Sequence, residues 1–527
     1  MALPLVSVLL LLAGAAVALP APVTLIDGSV VQGFAATSNV TAFLGIPFGN
    51  VTRFKAATRA NPWTTVLNAS APGPACPQNA DPVSASRSPP PQAEQCLSIN
   101  IWRPTANSSA PRAIMLWLHG GSFLYESSMG AFNSYNGQML AAVGDVIIVS
   151  ANYRLDVLGW MSTSGGVPAN LGLSDQRLAM QWLRDNAAAF GGDPARVTLW
   201  GESAGAISTM AHLVTPASKG LFKRAILQSS LGIPFFPASL STQFGNFLAI
   251  TVGCAPSNIT CLQAVPLASL LNASASVSAA SHFSALWYPT IDKQTQNQPL
   301  SAAGLASIPP SVDIMFGFDT DEAVYFYSAV PAVQENPMAT LYQVAGYSYG
   351  AHAPHILGKY SSLYGQPTTN ASFIKFFNAA FTDDLFRCAT QKLGGAVRRA
   401  SAWSYRFNVV QRDNSKFWPQ LGLPACVSKV CHGAELSFVF GFQGLPASMN
   451  VSFSSAEQTL SSTMQRMWTG FAKTGNPGQG WPAFTSAARK TLVLDTRAGA
   501  LSVDSASAGQ CAFWDGIGYT AFKVPPL

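Results

Sequence analysis

Residues 196–206 read RVTLWGESAGA and pass directly into ISTMAHLV. An apolar, β-prone run meets Gly-Glu-Ser-Ala-Gly and turns at once into a pattern with helical spacing. A serine leaving a parallel strand in this way sits on a sharp, exposed bend. Gly201 and Gly205 lack the Cβ atoms that would collide with neighbouring backbone there. The first amides of the following helix point at whatever the serine oxygen attacks. A tight turn in an ordinary βα unit looks the same, so Ser203 acquires meaning only from partners elsewhere in the chain.

Outward from this turn, short apolar runs alternate with longer amphipathic ones. AIMLWL (113–118), VIIVSANY (146–153), VTLW (197–200), AILQS (225–229), DIMFGF (313–318) and WSYRFNV (403–409) have the length and composition of buried strands. Between them, SDQRLAMQWLRDNAAAF (174–190) carries Leu178, Trp182 and Leu183 at helical spacing, and SAEQTLSSTMQRMWTGFAKTG (455–475) ends on glycine, as helices often do. This alternation predicts an α/β fold with a mostly parallel central sheet flanked by helices, carrying loop and helical insertions. The 527 residues allow several domains, yet no internal repeat divides them, and residues 19–527 read as one domain. The Pro/Ser-rich DPVSASRSPPPQAEQ (81–95) is expected to be a loop closed by its flanking cysteines.

With charged residues at 10% and hydrophobic ones at 48%, the chain is not disordered. A net charge of +6 spread over this length, with no basic run, argues against a nucleic-acid partner. The N-terminus has an apolar centre followed by Ala16-Val17-Ala18, so residues 1–18 are expected to be a signal peptide, although no Lys or Arg precedes the apolar run. No other segment is long and apolar enough for an integral membrane span, and the tail AFKVPPL lacks an anchor signal. Eight Asn-x-Ser/Thr sequons, at Asn39, Asn50, Asn68, Asn107, Asn258, Asn272, Asn370 and Asn450, fit a secreted, extracellular glycoprotein. Eight cysteines suit four disulfides, and roughly a hundred pairings are combinatorially open. Local closure favours Cys76 with Cys96, Cys254 with Cys261 and Cys426 with Cys431, leaving Cys388 with Cys511 as a long-range clamp. The absence of a CxxC pair argues against a zinc site.

An unassisted serine hydroxyl is a weak nucleophile and needs a base. Of six histidines, His212 follows Ser203 on its helix, His282, His352 and His355 fall in loop-like contexts, and His119 belongs to LHGG. The HAPH spacing of His352 and His355 imitates a metal pair, but no acidic ligands cluster beside it. His432, in VCHGAELSFVFG after the sixth strand, is left as the base. The orienting carboxylate should lie between serine and histidine in sequence. MFGFDTDEAVYF supplies Asp319, Asp321 and Glu322 just past a strand, and the residues alone do not separate them. WLHGGSF sets Gly120 and Gly121 beyond a strand, where bare N–H groups can approach a substrate oxygen; the amide of Ala204 is the third donor of such an oxyanion hole.

In combination these stretches resemble the type-B carboxylesterase/lipase family, cholinesterase-like enzymes of the α/β-hydrolase fold. The resemblance runs from FLGIPFGN to CAFWD through CLSINIWRP, NYRLDVLGW, NLGLSDQRLAMQWLRDNAAAFGGDP, GESAGA, DEAVYF, HGAELSFVFG and FAKTGNP. It implies Ser203 as nucleophile, His432 as general base and acid, Glu322 as orienting acid, and Gly120, Gly121 and Ala204 as oxyanion hole. It also implies the Cys76, Cys254 and Cys388 pairings above, and no cofactor or metal. KVCHGAEL is most similar to the secreted fungal branch, with Cys426 and Cys431 bracing the histidine loop. Two departures stand out: Ala323 follows the acid where glycine is common, and Gln95 in AEQCL stands where the family carries Asp. The loop from Cys76 to Cys96 has no aromatic residue, which speaks against choline esters. The implied partner is a small-molecule or lipid ester, and LGIPFFP (231–237) and SALWYPTID (284–292) read either as walls of an acyl pocket or, as apolar runs more often are, as plain core. The competing expectations are a catalytically silent binding or adhesion protein on the same fold, and amide cleavage by the same groups. Acyl-chain length, contact with a lipid interface and oligomeric state are not encoded in these motifs.

Overall fold

A computed structural model describes residues 19–80, 91–280, 286–292, 298–328, 346, 349–366, 369–397, 401–442, 445–478, 480–497, 501–504 and 508–519. The expected signal peptide, most of the Pro/Ser-rich loop and His282 lie outside these residues. The architecture is organised by a sheet of eleven strands. In chain order they are β1 (Phe34–Thr37), β2 (Val40–Pro47), β3 (Ser98–Pro104), β4 (Arg112–Leu118), β5 (Ile147–Ala151) and β6 (Gly192–Glu202). They continue with β7 (Arg224–Gln228), β8 (Asp313–Asp319), β9 (Ala402–Phe407), β10 (Thr491–Leu494) and β11 (Leu501–Asp504). Their spatial order is β1-β2-β3-β5-β4-β6-β7-β8-β9-β10-β11. The run from β5 to β10 is parallel, whereas β1, β2 and β3 on one side and β11 on the other join antiparallel.

The central strands read as continuous apolar runs because both faces are covered. Along β4, Ile114, Leu116 and Leu118 enter one core, and Ala113, Met115 and Trp117 enter the other. On the second face Trp117 meets Trp200 at 4.6 Å and Phe440 at 5.1 Å between ring centroids. Each fully buried side chain of this size contributes about 1.5–3 kcal/mol. The helices that matter here are α1 (Leu171–Asn186), α2 (Ala204–Val214), α3 (Glu322–Ser328) and α4 (Ser455–Thr474).

Sequence expectation and structure agree closely for these elements. α1 starts earlier than the Ser/Asp boundary suggested, at Leu171, and a 3-10 turn over Ala187–Phe190 completes the expected span. α4 begins with a capping box between Ser454 and Glu457 and stops where Gly475 turns left-handed at φ 81°. There the carbonyl of Gly475 accepts the Trp403 indole N–H at 2.9 Å, which ties the helix end to β9. All four cysteine pairs expected from local closure and the long-range clamp are present: Cys76–Cys96, Cys254–Cys261, Cys388–Cys511 and Cys426–Cys431. His352 and His355 correct their loop assignment: His352 ends a 3-10 turn and His355 lies in the helix Ala353–Tyr364. Among the described residues no cluster of metal-ligating side chains occurs, and no helix is long and apolar enough to cross a membrane.

Candidate active site

Strand β6 carries its buried pattern up to Glu202, and α2 starts at Ala204, so the whole reversal of direction falls on Ser203. Ser203 accordingly has φ 53° and ψ −122°, a conformation that ordinary side chains avoid. Two glycines make the bend possible. A Cβ on Gly205 would lie 1.9 Å from the Leu118 carbonyl oxygen, and one on Gly201 would lie 2.5 Å from the Gly205 carbonyl carbon. The Ser203 N–H donates to Gln228 on β7 at 3.0 Å. Its hydroxyl makes no hydrogen bond to a described group and opens into a cavity of about 400 Å³.

His432 lines the same cavity from the loop after β9. Its Nδ1 stands 2.6 Å from Glu322 Oε2, while Glu322 Oε1 accepts the N–H of Asp319 at 2.7 Å. Glu322 is fully buried at the first turn of α3. Asp321 points elsewhere, accepting from the Asn378 amide at 2.9 Å and the Val430 N–H at 3.1 Å. The Val430 carbonyl in turn accepts the Asp321 N–H at 2.9 Å, so the acid turn and the histidine loop clamp each other just before Cys431. Phe326, Phe386 and Tyr325 surround the imidazole with centroids at 5.0, 5.3 and 5.5 Å.

One contact differs from the expected hydroxyl–imidazole meeting. His432 Nε2 sits 3.0 Å from Glu202 Oε1, without hydrogen-bond alignment, and no hydrogen bond joins it to Ser203. Glu202 directly precedes the serine and is only 5% exposed, although an acid in a turn reads as solvated. Burial pushes its carboxyl up to about 8 against the opposing pull of His432, with Glu435 and Glu322 adding to the rise. Burial acts to lower the imidazole, but Glu202 and Glu322 outweigh it and raise His432 to about 9.

Opposite the serine, the backbone of HGGSF bends round it. A Cβ on Gly120 would meet Ser203 Cβ at 3.1 Å and Glu202 Oε2 at 2.8 Å, and Gly121 is left-handed at φ 87°. Gly121 lines the cavity; the N–H groups of Gly120, Gly121 and Ala204 are given to no other described protein group. His119 supports this turn from behind. It stacks on Tyr153 at 4.3 Å, takes the Tyr153 hydroxyl on its carbonyl at 2.7 Å, and is lowered to about 4 by burial. His212 bonds Ser218 at 2.8 Å and Gln176 at 3.0 Å, facing neighbours and not the cavity. Gln95, the departure near Cys96, closes on the backbone of Val51 instead of pairing as an acid, and the adjacent Glu94 pairs with Arg53.

Of the two readings of the apolar runs 231–237 and 284–292, the core one fits the described residues. Phe235, Phe236, Leu286, Trp287 and Tyr288 are packed in the core, and no residue of 231–237 lines the cavity. Its apolar wall comes instead from Tyr325, Phe326, Phe417, Trp418, Leu436 and Phe442. All but Phe442, which lies in the bend after one of them, sit on short helices whose sequences carry no periodic signature.

Seven parallel strands define an α/β-hydrolase fold, and at its strand ends a strained serine, a carboxylate-bound histidine in the same cavity and bare amides opposite form the kind of site a hydrolase requires. The model of the Carboxylesterase family matches residues 16–514, and the chain belongs to that family as a carboxylic ester hydrolase. Among curated proteins it is 33% identical to para-nitrobenzyl esterase of Bacillus subtilis (strain 168), over 476 residues that cover 87% of this chain and 92% of that one. Among solved structures it is similar to a thermophilic PNB esterase at TM-score 0.78 and 30% identity, covering 94% of this chain and 99% of that one. A further PNB esterase structure has TM-score 0.78 at 31% identity with the same coverage.

Proposed function

We propose that the chain hydrolyses carboxylic esters through an acyl-enzyme on Ser203, with His432 as proton carrier, Glu322 as its orienting acid, and Gly120, Gly121 and Ala204 as the oxyanion hole. The observation that carries this is the 2.6 Å contact of Glu322 with Nδ1 of a histidine that shares its cavity with Ser203. A carboxylate on Nδ1 holds the proton there and leaves Nε2 as the basic nitrogen. Catalytic hydrogen bonds are often long before substrate binds, so a small turn of the ring from Glu202 towards Ser203 completes the relay. The serine oxygen then attacks the ester carbonyl as His432 takes its proton; the imidazolium returns that proton to the departing alcohol. Water repeats the sequence, its proton passing through His432 and the acid leaving Ser203.

The aromatic lining supports esters with a bulky apolar or aromatic portion, lipid esters included. We read the chain as a secreted glycoprotein with a cleaved leader at residues 1–18. Its four disulfides support this reading, as does the exposure of Asn39, Asn68, Asn107, Asn258, Asn272 and Asn450. A silent binding protein would not need three separated segments to converge on one apolar cavity.

Mixing enzyme with a p-nitrophenyl ester should release a burst of nitrophenol stoichiometric with enzyme, and acid quenching should trap one acyl group on the peptide containing Ser203. Turnover without any acyl adduct, or an adduct on another residue, overturns the assignment.

The acids around His432 make a pH prediction. The imidazole must be neutral to act as base, so kcat/KM should rise with pH through the raised value near 9. Glu202→Gln removes the first of the charges holding the proton and should move this acidic limb down by about 1–2 units. A limb unchanged in the variant would show that Glu202 does not govern the base.

A further inference from the structure

Two buried acids behind the histidine are used by none of these steps. Asp319 ends β8 and Glu435 lies three residues beyond His432; both are fully buried. One oxygen of each is occupied. Asp319 Oδ2 accepts the Ala434 N–H at 2.9 Å, and Glu435 Oε1 accepts the Gln228 amide at 2.9 Å. Gln228 is itself held by the Trp468 indole N–H at 2.9 Å. The remaining oxygens, Asp319 Oδ1 and Glu435 Oε2, are buried and receive no hydrogen from any described donor. The two side chains nevertheless lie within hydrogen-bonding reach of each other.

Two ionised carboxylates facing each other out of water repel strongly, and each would also leave an unsatisfied acceptor. One proton between them removes both penalties. We propose that Asp319 and Glu435 share a single proton as a carboxyl–carboxylate pair that fastens the loop of His432 to the end of β8. Burial and then the charge of Glu435 raise Asp319 well above the ordinary carboxylate range, and burial moves Glu435 in the same direction. The other groups facing the pair work the same way. Glu322 from α3 adds negative charge to both members, and the hydroxyl of Tyr405 on β9 is raised by burial and then by Glu435 and Asp319. His432 and Glu202 feel Glu435 from the cavity side.

The pair joins two pieces of chain that must stay in register. β8 leads into α3 and Glu322, while Glu435 and Ala434 follow His432 directly. Asp319 and Glu435 are therefore positioning residues: they keep the Glu322 carboxylate and the imidazole aligned. When alkali removes the shared proton, it passes to solvent, and the two negative charges drive the loop and the strand end apart.

The positional consequence rests on His432 being the base, whereas the shared proton does not, and the experiment separates them. Infrared difference spectra at neutral pH, taken as wild type minus variant in a Glu202→Gln background that removes the other raised carboxyl of the site, should show one neutral-carboxyl C=O band that is lost in both Asp319→Asn and Glu435→Gln. Either amide donates an N–H to the remaining carboxylate, so the contact survives without a titrating proton. Asp319→Asn should keep most of the neutral-pH kcat and lose the alkaline decline of the wild type, while Asp319→Leu should lower kcat by at least about tenfold. A band that survives in Glu435→Gln, or no band at all, overturns the sharing. An alkaline limb identical in Asp319→Asn and wild type overturns the positioning role. Failure of the Ser203 assignment would leave the infrared result standing.

Discussion

Replacing Ser203 by alanine is expected to lower kcat for a short p-nitrophenyl ester about a millionfold, equivalent to about 8 kcal/mol of barrier. The size of the effect follows from what the hydroxyl does. In the proposed mechanism its oxygen forms the covalent bond, and no other described hydroxyl or thiol shares its place at the end of β6, before the bare amides of the HGG turn. The fold should survive the change. The hydroxyl has no hydrogen-bond partner among the described residues to lose, the backbone bend is held by Gly201, Gly205 and the bond from the Ser203 N–H to Gln228, and alanine accepts the same backbone with no bulk added. Circular dichroism and the melting temperature should therefore match the wild type while turnover falls to the background left by the oxyanion hole. Retained turnover would remove Ser203 from the mechanism.

Glu322→Gln should cost about 10⁴-fold in kcat, or about 5.5 kcal/mol, and Asp321→Asn less than about tenfold. Geometry makes the difference. Glu322 uses one oxygen to accept the Asp319 N–H and the other to hold Nδ1 of His432. Glutamine can keep the first bond only by turning its NH2 towards the ring, which forces the proton onto Nε2, the nitrogen that has to receive one from serine. Asp321 instead holds Asn378 and Val430, contacts that an asparagine oxygen can still accept in part. Steady-state kinetics of the two variants at one pH decide between them, and a larger loss from Asp321→Asn would transfer the orienting role to it.

Much of this was legible from residue patterns, for reasons that can be named. Strands covered on both faces must be apolar throughout, so β4 to β9 stand out against their polar surroundings. The serine bend needs glycine on both sides, and the 1.9 Å approach at Gly205 shows why no substitute fits. His432 emerged by elimination, because His212 follows the serine on its own helix, His119 belongs to the LHGG turn, and His282, His352 and His355 read as loop histidines, although the structure places the last two in helical segments. The three acids of FDTDEA were not separable in the same way. They occupy one turn, and only the start of α3 at Glu322 sends that side chain inward while Asp321 faces the Val430 loop. Glu202 was missed because its neighbours make it look like a solvated turn acid, yet the turn is itself buried. The substrate walls were not separable from core in the sequence, because an apolar run such as 231–237 looks the same in either place. The residues that do line the cavity, such as Phe417 and Trp418, come from segments too short and irregular to show a period.

The gathering of Glu202, Glu322, Asp319 and Glu435 near one imidazole also bears on how the product leaves. An ester arrives uncharged and feels little of this local field, but the acid it becomes ionises in water and is an anion at neutral pH. Although the chain as a whole carries +6, the charged groups that act on His432 are acids, and it is their pull that keeps the imidazole protonated. A carboxylate released beside such acids is repelled by those that are ionised, which favours its departure and frees the chamber for the next molecule.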